Sequence, residues 1–223
     1  MSAAPAADKR RFKDPVSSFT HLSFAVLSLP VTALLVYLSV VTGDAWRVVS
    51  VSIFGLTLLL LYSASAVYHM LPLTDRATTI LKKIDHMMIF LLIAGTYTPI
   101  CLVTLRGAWG WSLFGVVWGM AVAGIVLKAL WIDAPRWLST VIYVAMGWSV
   151  IIAFYPLARA MPLGGVALLL AGGLTYTAGA LIYALKRPRL NFRLFGFHEI
   201  FHLFVMGGTV FHVLFMFFYV IPE

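Results

Sequence analysis

Seven long stretches without charge run through the chain and limit what it can fold into. An α-helix rises about 1.5 Å per residue, so helices of this length cross a hydrocarbon core roughly 30 Å thick. The last stretch is interrupted near its start by Glu199. The sequence therefore predicts an all-α integral membrane protein, a bundle of seven transmembrane helices. The stretches cover residues 22–37 (with an uncharged extension to 43), 48–71, 87–105, 109–127, 137–158, 163–185 and 197–220.

The balance of charged and apolar residues excludes a soluble protein. Charged residues make up 11% of the chain and apolar residues 62%, whereas an ordinary soluble domain carries roughly 25% charged residues. Because the connections between the stretches are short, they leave no room for a separate soluble domain. We predict a basic cytoplasmic segment over residues 1–18 and one seven-helix transmembrane domain over residues 19–223.

Lysine and arginine residues flank the predicted helices unevenly. Thirteen lie on the side of the amino terminus and three on the opposite side, and positively charged loops stay in the cytoplasm. The sequence therefore predicts a cytoplasmic amino terminus and an external carboxyl terminus. This topology explains the net charge of +8, so we predict membrane lipids as partners and no nucleic-acid partner.

The few ionisable side chains within the predicted helices gather toward one side of the membrane. Such groups are costly there and usually face the interior of the bundle. The second helix ends, and the third and seventh begin, at the cytoplasmic side. His69, Asp85, His198 and His202 each lie within about two turns of that side, so we expect them at similar depth. Ser65 lies one turn deeper than His69 on the same helix face.

These residue types favour a metal site. His198 and His202 are four residues apart and project from one face of their helix. Three imidazoles with a carboxylate or a water in the fourth position form a tetrahedral site that suits zinc. We therefore predict that His69, His198 and His202 bind Zn²⁺. The alternative is that they are ordinary helix-end histidines that reach toward the membrane surface.

A second interpretation of the same residues stays open. Residues 198–202 read HEIFH, which matches the pattern in which two histidines hold zinc and the glutamate acts as a general base. Under that interpretation the protein is an intramembrane metalloprotease, with Glu199 as the base and His69 or Asp85 as the third ligand.

We predict roles other than metal binding for the remaining histidines. His21 lies near the depth of the cluster, and we expect it to support the site without binding the metal. His86 lies about 100° around its helix from Asp85 and is expected to pack beside the site. His212 lies roughly 21 Å beyond His198 along the helix, so we expect it to make a polar contact inside the bundle.

Two glycine pairs indicate close contact between helices. One pair occupies residues 172–173 of the sixth stretch and the other residues 207–208 of the seventh. Glycines allow helix backbones to approach closely, and they also permit a local bend.

Four motifs in order resemble a known family. They are SAVYH at residues 65–69, Asp85 at the start of the third helix, IAGTYTP at residues 93–99 and HEIFH at residues 198–202. Together they resemble the bacterial hemolysin III branch of the progestin and adiponectin receptor family. The resemblance covers nearly the whole chain, including the helix count and the inside amino terminus, and it implies a place in the inner (cytoplasmic) membrane of a bacterium.

The resemblance implies roles for individual residues. In that family the second helix supplies one zinc-binding histidine and the seventh supplies two, which here are His69, His198 and His202. The aspartate of the third helix holds the metal-bound water, which implies that role for Asp85. Ser65 then supplies an accessory hydroxyl beside it.

The chain departs from the family pattern before the first helix. Asp14 and Ser17 occupy positions usually held by glutamate and asparagine ahead of His21, which leaves their contribution open. The receptor branch has glutamine in place of Glu199, which argues against an essential glutamate.

The family resemblance and a likeness of the motifs to alkaline ceramidases imply a zinc-dependent hydrolase of lipid amide or ester bonds. Asp85 would move the proton of the attacking water, and Ser65 would donate a hydrogen bond to the developing oxyanion. A sensor or receptor of membrane state with structural zinc is a second hypothesis. A pore-forming, haemolysin-like activity is a third, although no stretch carries the polar stripe that lines a channel.

Overall fold

A computed structural model describes residues 12–131, 134–190 and 195–222. Residues 1–11 of the predicted basic segment lie outside this range. Within it, the chain forms seven helices long and apolar enough to cross a membrane, which confirms the predicted fold. These helices are α1 (Pro15–Thr42), α2 (Ala45–Met70), α3 (Asp75–Thr104), α4 (Ala108–Leu130), α5 (Arg136–Ala160), α6 (Leu163–Leu185) and α7 (Phe197–Val220).

Two helices, α1 and α3, begin well before the uncharged stretches that predicted them. α1 begins at Pro15, because a proline suits the first helical position, where no hydrogen bond is lost. α3 begins at Asp75, because the side chain of the preceding residue, Thr74, caps the helix by accepting a hydrogen bond from the backbone nitrogen of Ala77. Charged residues are therefore part of the first turns of α3, and Asp85 lies in its third turn.

Three of the helices depart from regular α-geometry. α3 continues past Pro99 as a wider π-helical turn, Ile100–Thr104, and α7 ends in the same way at Met216–Val220. α5 contains a tighter 3₁₀ segment, Trp148–Ala153. At its start the Tyr97 hydroxyl donates to the carbonyl of Gly147 (2.6 Å) and accepts from the backbone of Val150 (2.9 Å). A side chain inserted in this way replaces helix hydrogen bonds and explains the break.

The helices pack around α3, which is the most buried of the seven. α1 packs on α2, and α2 on α3. α5 contacts α3, α4 and α6, and α7 closes the bundle between α6 and α1. The outward faces carry many exposed large apolar side chains, as expected of surfaces in contact with lipid. The chain is thus an integral membrane protein, and the start of α1, the end of α2 and the starts of α3 and α7 share one end, here called the histidine end.

Candidate metal centre

Three histidines converge at the histidine end of the bundle. One nitrogen from each of His69, His198 and His202 lies within 4.8 Å of the others, so the three can hold a metal ion. The Nε2 atoms of His69 and His198 are 3.2 Å apart. The ring centroid of His202 lies 5.0 Å from that of His69 and 4.6 Å from that of His198. These residues are called the histidine triad below.

The ends of two helices, α2 and α7, hold the histidine triad. His69 lies in the last turn of α2, and His198 and His202 occupy successive turns of α7. α7 starts at this point because the Glu199 carboxylate accepts a hydrogen bond from the backbone nitrogen of Gly196 (2.8 Å). The other oxygen of Glu199 accepts from the hydroxyl of Ser17 on α1 (2.8 Å). Glu199 therefore fixes the first turn of α7, and both of its oxygens are already engaged.

His69 and His198 fit zinc by their spacing, and His69 fits it also by its tautomer. Nitrogen ligands bound at 2.0 to 2.1 Å in a tetrahedron lie roughly 3.3 Å from one another, close to the observed 3.2 Å between His69 and His198. Nδ1 of His69 lies 3.0 Å from Oδ2 of Asp14. Because a carboxylate accepts, Nδ1 of His69 carries the hydrogen, and its Nε2 presents a lone pair toward the triad.

Asp14 also anchors the chain that precedes α1. Its backbone nitrogen donates to the carbonyl of His69 (2.9 Å), and the backbone nitrogen of Lys13 donates to Met70 (3.3 Å). The hydrogen bond from His69 lowers the pKa of the Asp14 carboxyl below its ordinary value, against the opposing effect of burial. The carboxylate is therefore ionised at neutral pH and orients the His69 ring, which answers the question that the sequence left open for this residue.

Replacing Asp14 with alanine is expected to weaken zinc binding about tenfold to a hundredfold, because groups that orient a ligating histidine contribute on that scale. Titration of the purified protein against a competing chelator measures the change. Asp44→Ala is the matched control, since Asp44 caps α2 at its opposite end through the backbone of Trp46. Equal zinc affinity in the two variants would remove the orienting role of Asp14.

An apolar cavity opens beside the triad and runs into the bundle. His198 and His202 line it together with Asp85 and Ser65, and His212 lines it further in. The cavity has a volume of about 150 Å³. His198 and His212 are fourteen residues apart on α7, so the cavity follows the helix for roughly 21 Å. The structure thus brings the predicted carboxylate and hydroxyl into the same space as the triad, with Asp85 outside the group that can hold the ion.

Comparison with known proteins gives the family. The family model described as haemolysin-III related matches residues 9–213. Hemolysin-3 of Bacillus cereus is 38% identical over 208 residues, which cover 92% of this chain and 91% of that protein. The chain belongs to the haemolysin-III related family. The Hemolysin-3 homolog of Bacillus subtilis (strain 168) is 39% identical over 194 residues, 86% of this chain and 87% of the relative.

A more distant relative connects the haemolysin-III related chain with the wider progestin and adiponectin receptor family. The human monocyte to macrophage differentiation factor is 24% identical over 208 residues, 90% of this chain and 82% of the human protein. The resemblance to the progestin and adiponectin receptor family, drawn from the four motifs, is confirmed.

Two further histidines of this haemolysin-III related chain lie near the triad. The His21 ring stacks on that of His202 at 3.7 Å between centroids and 14° between planes. Among the described residues, neither nitrogen of His21 has a hydrogen-bond partner. His86 donates from Nδ1 to the carbonyl of Lys82 (2.6 Å), and its Nε2 accepts from the hydroxyl of Tyr183 (3.3 Å). Both line the cavity beside the site, as the sequence predicted. The contact of His86 with Tyr183 could not be predicted from the sequence.

Proposed function

We propose that this protein is a zinc-dependent hydrolase of lipid amide or ester bonds that acts at the cytoplasmic leaflet. The observation that carries the proposal is an apolar cavity lined by His198 and His202 of the histidine triad together with Asp85 and Ser65. A metal site, a carboxylate and a hydroxyl around one space are the groups that hydrolysis of a carbonyl compound needs.

The make-up of the triad favours catalytic over structural zinc. Structural sites fill all four positions with protein groups, whereas catalytic sites use three and leave one open. Within the described part of the chain, the group that can hold an ion consists of His69, His198 and His202 alone. A fourth position left free of protein groups would be open to water, and His198 and His202 line the cavity in which Asp85 lies.

Each residue has a separate task in the proposed reaction. When bound, zinc would act as a Lewis acid and would lower the pKa of the attacking water. The Asp85 carboxylate accepts the proton of the attacking water and passes it to the leaving nitrogen or oxygen. The Ser65 hydroxyl donates a hydrogen bond to the carbonyl oxygen as negative charge develops there. His69 stays oriented by Asp14 throughout.

The cavity supports a lipid substrate. Its walls are mainly apolar, and it runs alongside α7 for roughly 21 Å. One leaflet of a hydrocarbon core roughly 30 Å thick is about 15 Å deep, so the cavity is long enough to follow an acyl chain through one leaflet. The uneven distribution of lysine and arginine supports a cytoplasmic position for the histidine end, and the relatives from Bacillus support the inner (cytoplasmic) membrane of a bacterium.

The protease interpretation loses support from the position of Glu199. Both carboxylate oxygens are held by hydrogen bonds, one from Gly196 and one from Ser17. A general base must instead reach the attacking water.

Glu199→Gln is therefore expected to keep full zinc content and to change lipid hydrolysis less than about twofold. Glutamine preserves the hydrogen bond that starts α7 but cannot act as a base. Initial rates of fatty acid release from the two purified proteins give the comparison. A drop of about a hundredfold or more, with zinc retained, would restore Glu199 as a base and the protease interpretation with it.

The direct test of the proposal combines metal analysis with a lipid assay. Full-length protein purified in detergent is analysed for zinc, and fatty acid release is followed from ceramide-like and phospholipid substrates. We expect about one zinc per chain together with turnover of one of these lipids. Zinc below about a tenth of an equivalent would end both the catalytic and the structural-zinc hypotheses. Zinc retained without turnover would favour the membrane-state sensor.

A further inference from the structure

A second polar cluster lies deep in the bundle, away from the histidine triad. The hydroxyls of Tyr62 on α2 and Tyr176 on α6 each form a hydrogen bond with Oγ1 of Thr209 on α7, at 2.6 and 2.8 Å. Thr209 lies seven residues beyond His202, roughly 10 Å along the helix. His212 follows one turn later. Tyr62, Tyr176, Thr209 and His212 are called the inner cluster below.

Two glycines fix the aromatic rings of the inner cluster. The Tyr176 ring lies against Gly208 of α7, and the His212 ring lies against Gly172 of α6. A Cβ atom at either glycine would overlap the ring that faces it. The two rings also stack on each other, with centroids 5.3 Å apart and planes at 28°. The close helix contact predicted from the glycine pairs is thus confirmed at these two positions, and it holds the rings in fixed places.

The hydroxyls of the inner cluster have one hydrogen to spare. Tyr62, Tyr176 and Thr209 carry three O–H hydrogens between them but form two mutual hydrogen bonds. No further partner of these hydroxyls is found in the part of the chain that the structure describes. Of the three residues, Tyr176 alone lines the cavity. A hydroxyl donor is therefore available at the cavity wall at this depth.

His212 adds an acceptor beside this donor. Its Nδ1 lies 2.8 Å from the carbonyl oxygen of Gly208, so Nδ1 carries the hydrogen and Nε2 carries a lone pair. Nε2 has no hydrogen-bond partner among residues 12–131, 134–190 and 195–222. The side chain is 8% exposed and lines the cavity. Buried polar atoms of proteins are usually hydrogen-bonded, so an unpaired donor and an unpaired acceptor on one cavity wall indicate a ligand group.

We propose that the inner cluster binds a hydroxyl group in the middle of a lipid chain whose carbonyl end lies at the histidine triad. A hydroxyl both donates and accepts, and so it pairs with the spare hydrogen of Tyr176 and the lone pair of His212. A plain methylene chain leaves both groups unpaired, which makes the site selective for the hydroxylated chain. The inference rests on the proposed function in one respect, that a lipid chain occupies the cavity.

A binding assay with three matched ligands tests this inference. Octadecanoic acid, an octadecanoic acid with a mid-chain hydroxyl and its isomer with the hydroxyl next to the carboxyl group each displace a fluorescent fatty acid from the full-length protein in detergent. We expect the mid-chain isomer to bind about tenfold more tightly than octadecanoic acid, since one or two added hydrogen bonds contribute on that scale. Any gain of the isomer with the hydroxyl beside the carboxyl group would come from the metal at the triad and should not depend on Tyr176.

Two variants locate the effect. Tyr176→Phe removes the hydroxyl that lines the cavity while keeping the ring against Gly208, so the preference for the mid-chain isomer should disappear. Tyr62→Phe is the control, because Tyr176 and Thr209 still hold one spare hydrogen between them and the preference should remain. Unchanged affinity for octadecanoic acid shows that each variant is folded. His212→Phe tests the acceptor separately and should also abolish the preference.

Equal affinity of the wild-type protein for the three acids would overturn the inference, as would a preference that survives in Tyr176→Phe. Because no turnover is measured, the result is separate from the proposed hydrolysis. Loss of fatty acid release with an intact binding preference would end the hydrolase proposal and leave the inner cluster as a lipid-binding site.

Discussion

Replacing His202 with alanine is expected to lower the zinc content of the purified protein from about one equivalent to less than about a tenth. Structural zinc sites of four protein ligands bind with about 10 to 16 kcal/mol, so on that scale one coordinating group contributes about 3 kcal/mol. Loss of one then weakens binding more than about a hundredfold. His202 is buried inside the bundle, and one of its nitrogens lies within 4.8 Å of a nitrogen of each other histidine, so its replacement removes one of three protein ligands. The same loss is expected for His198→Ala and His69→Ala.

The control for this series lies on the same helix. His212 is also buried, but it lies roughly 15 Å beyond His202 along α7 and contacts Gly208 and Tyr176 instead of the triad. His212→Ala should therefore retain zinc. If His212→Ala lost as much zinc as His202→Ala, the loss would reflect a damaged bundle, and full zinc content in His202→Ala would exclude His202 as a ligand.

Asp85→Asn is expected to reduce fatty acid release about a hundredfold to ten-thousandfold while leaving zinc bound, which is the range for loss of a general acid–base group. The physical reason is position, because Asp85 lines the cavity and lies outside the group of side chains that can hold the ion. Rates at saturating lipid, measured with zinc content on the same samples, separate the two effects.

Asp75→Asn provides the comparison for Asp85→Asn. Asp75 begins α3 and does not line the cavity, so its variant should hydrolyse lipid at the wild-type rate. Loss of zinc from Asp85→Asn would show that Asp85 binds the metal directly, which is the arrangement expected of a structural site and a sensor.

The triad was predictable because topology and helix periodicity decide it. Uncharged stretches gave the number and direction of the helices, and direction places the end of α2 on the same side of the membrane as the start of α7. The four-residue spacing of His198 and His202 then fixed their common face. The structure agrees on each point, with the three nitrogens within 4.8 Å.

Contacts made by residues before or between the helices could not be derived in this way. The hydrogen bond of Asp14 with His69 depends on how the chain ahead of α1 folds back on α2, which no periodicity encodes. Glu199 illustrates the opposite difficulty, since the HExxH spacing suggested a base while the actual contacts cap α7. The inner cluster was also missed, because Tyr62, Tyr176 and Thr209 come from three helices with no shared motif.

The central claim is that one zinc ion bridges His69, His198 and His202. Crystals of the wild-type protein, measured at the zinc absorption edge, test it most directly through anomalous scattering. We predict a single peak with one nitrogen of each ring at about 2.0 to 2.1 Å. Rings more than about 7 Å apart with no shared peak, too far for bonds of that length, would contradict the claim.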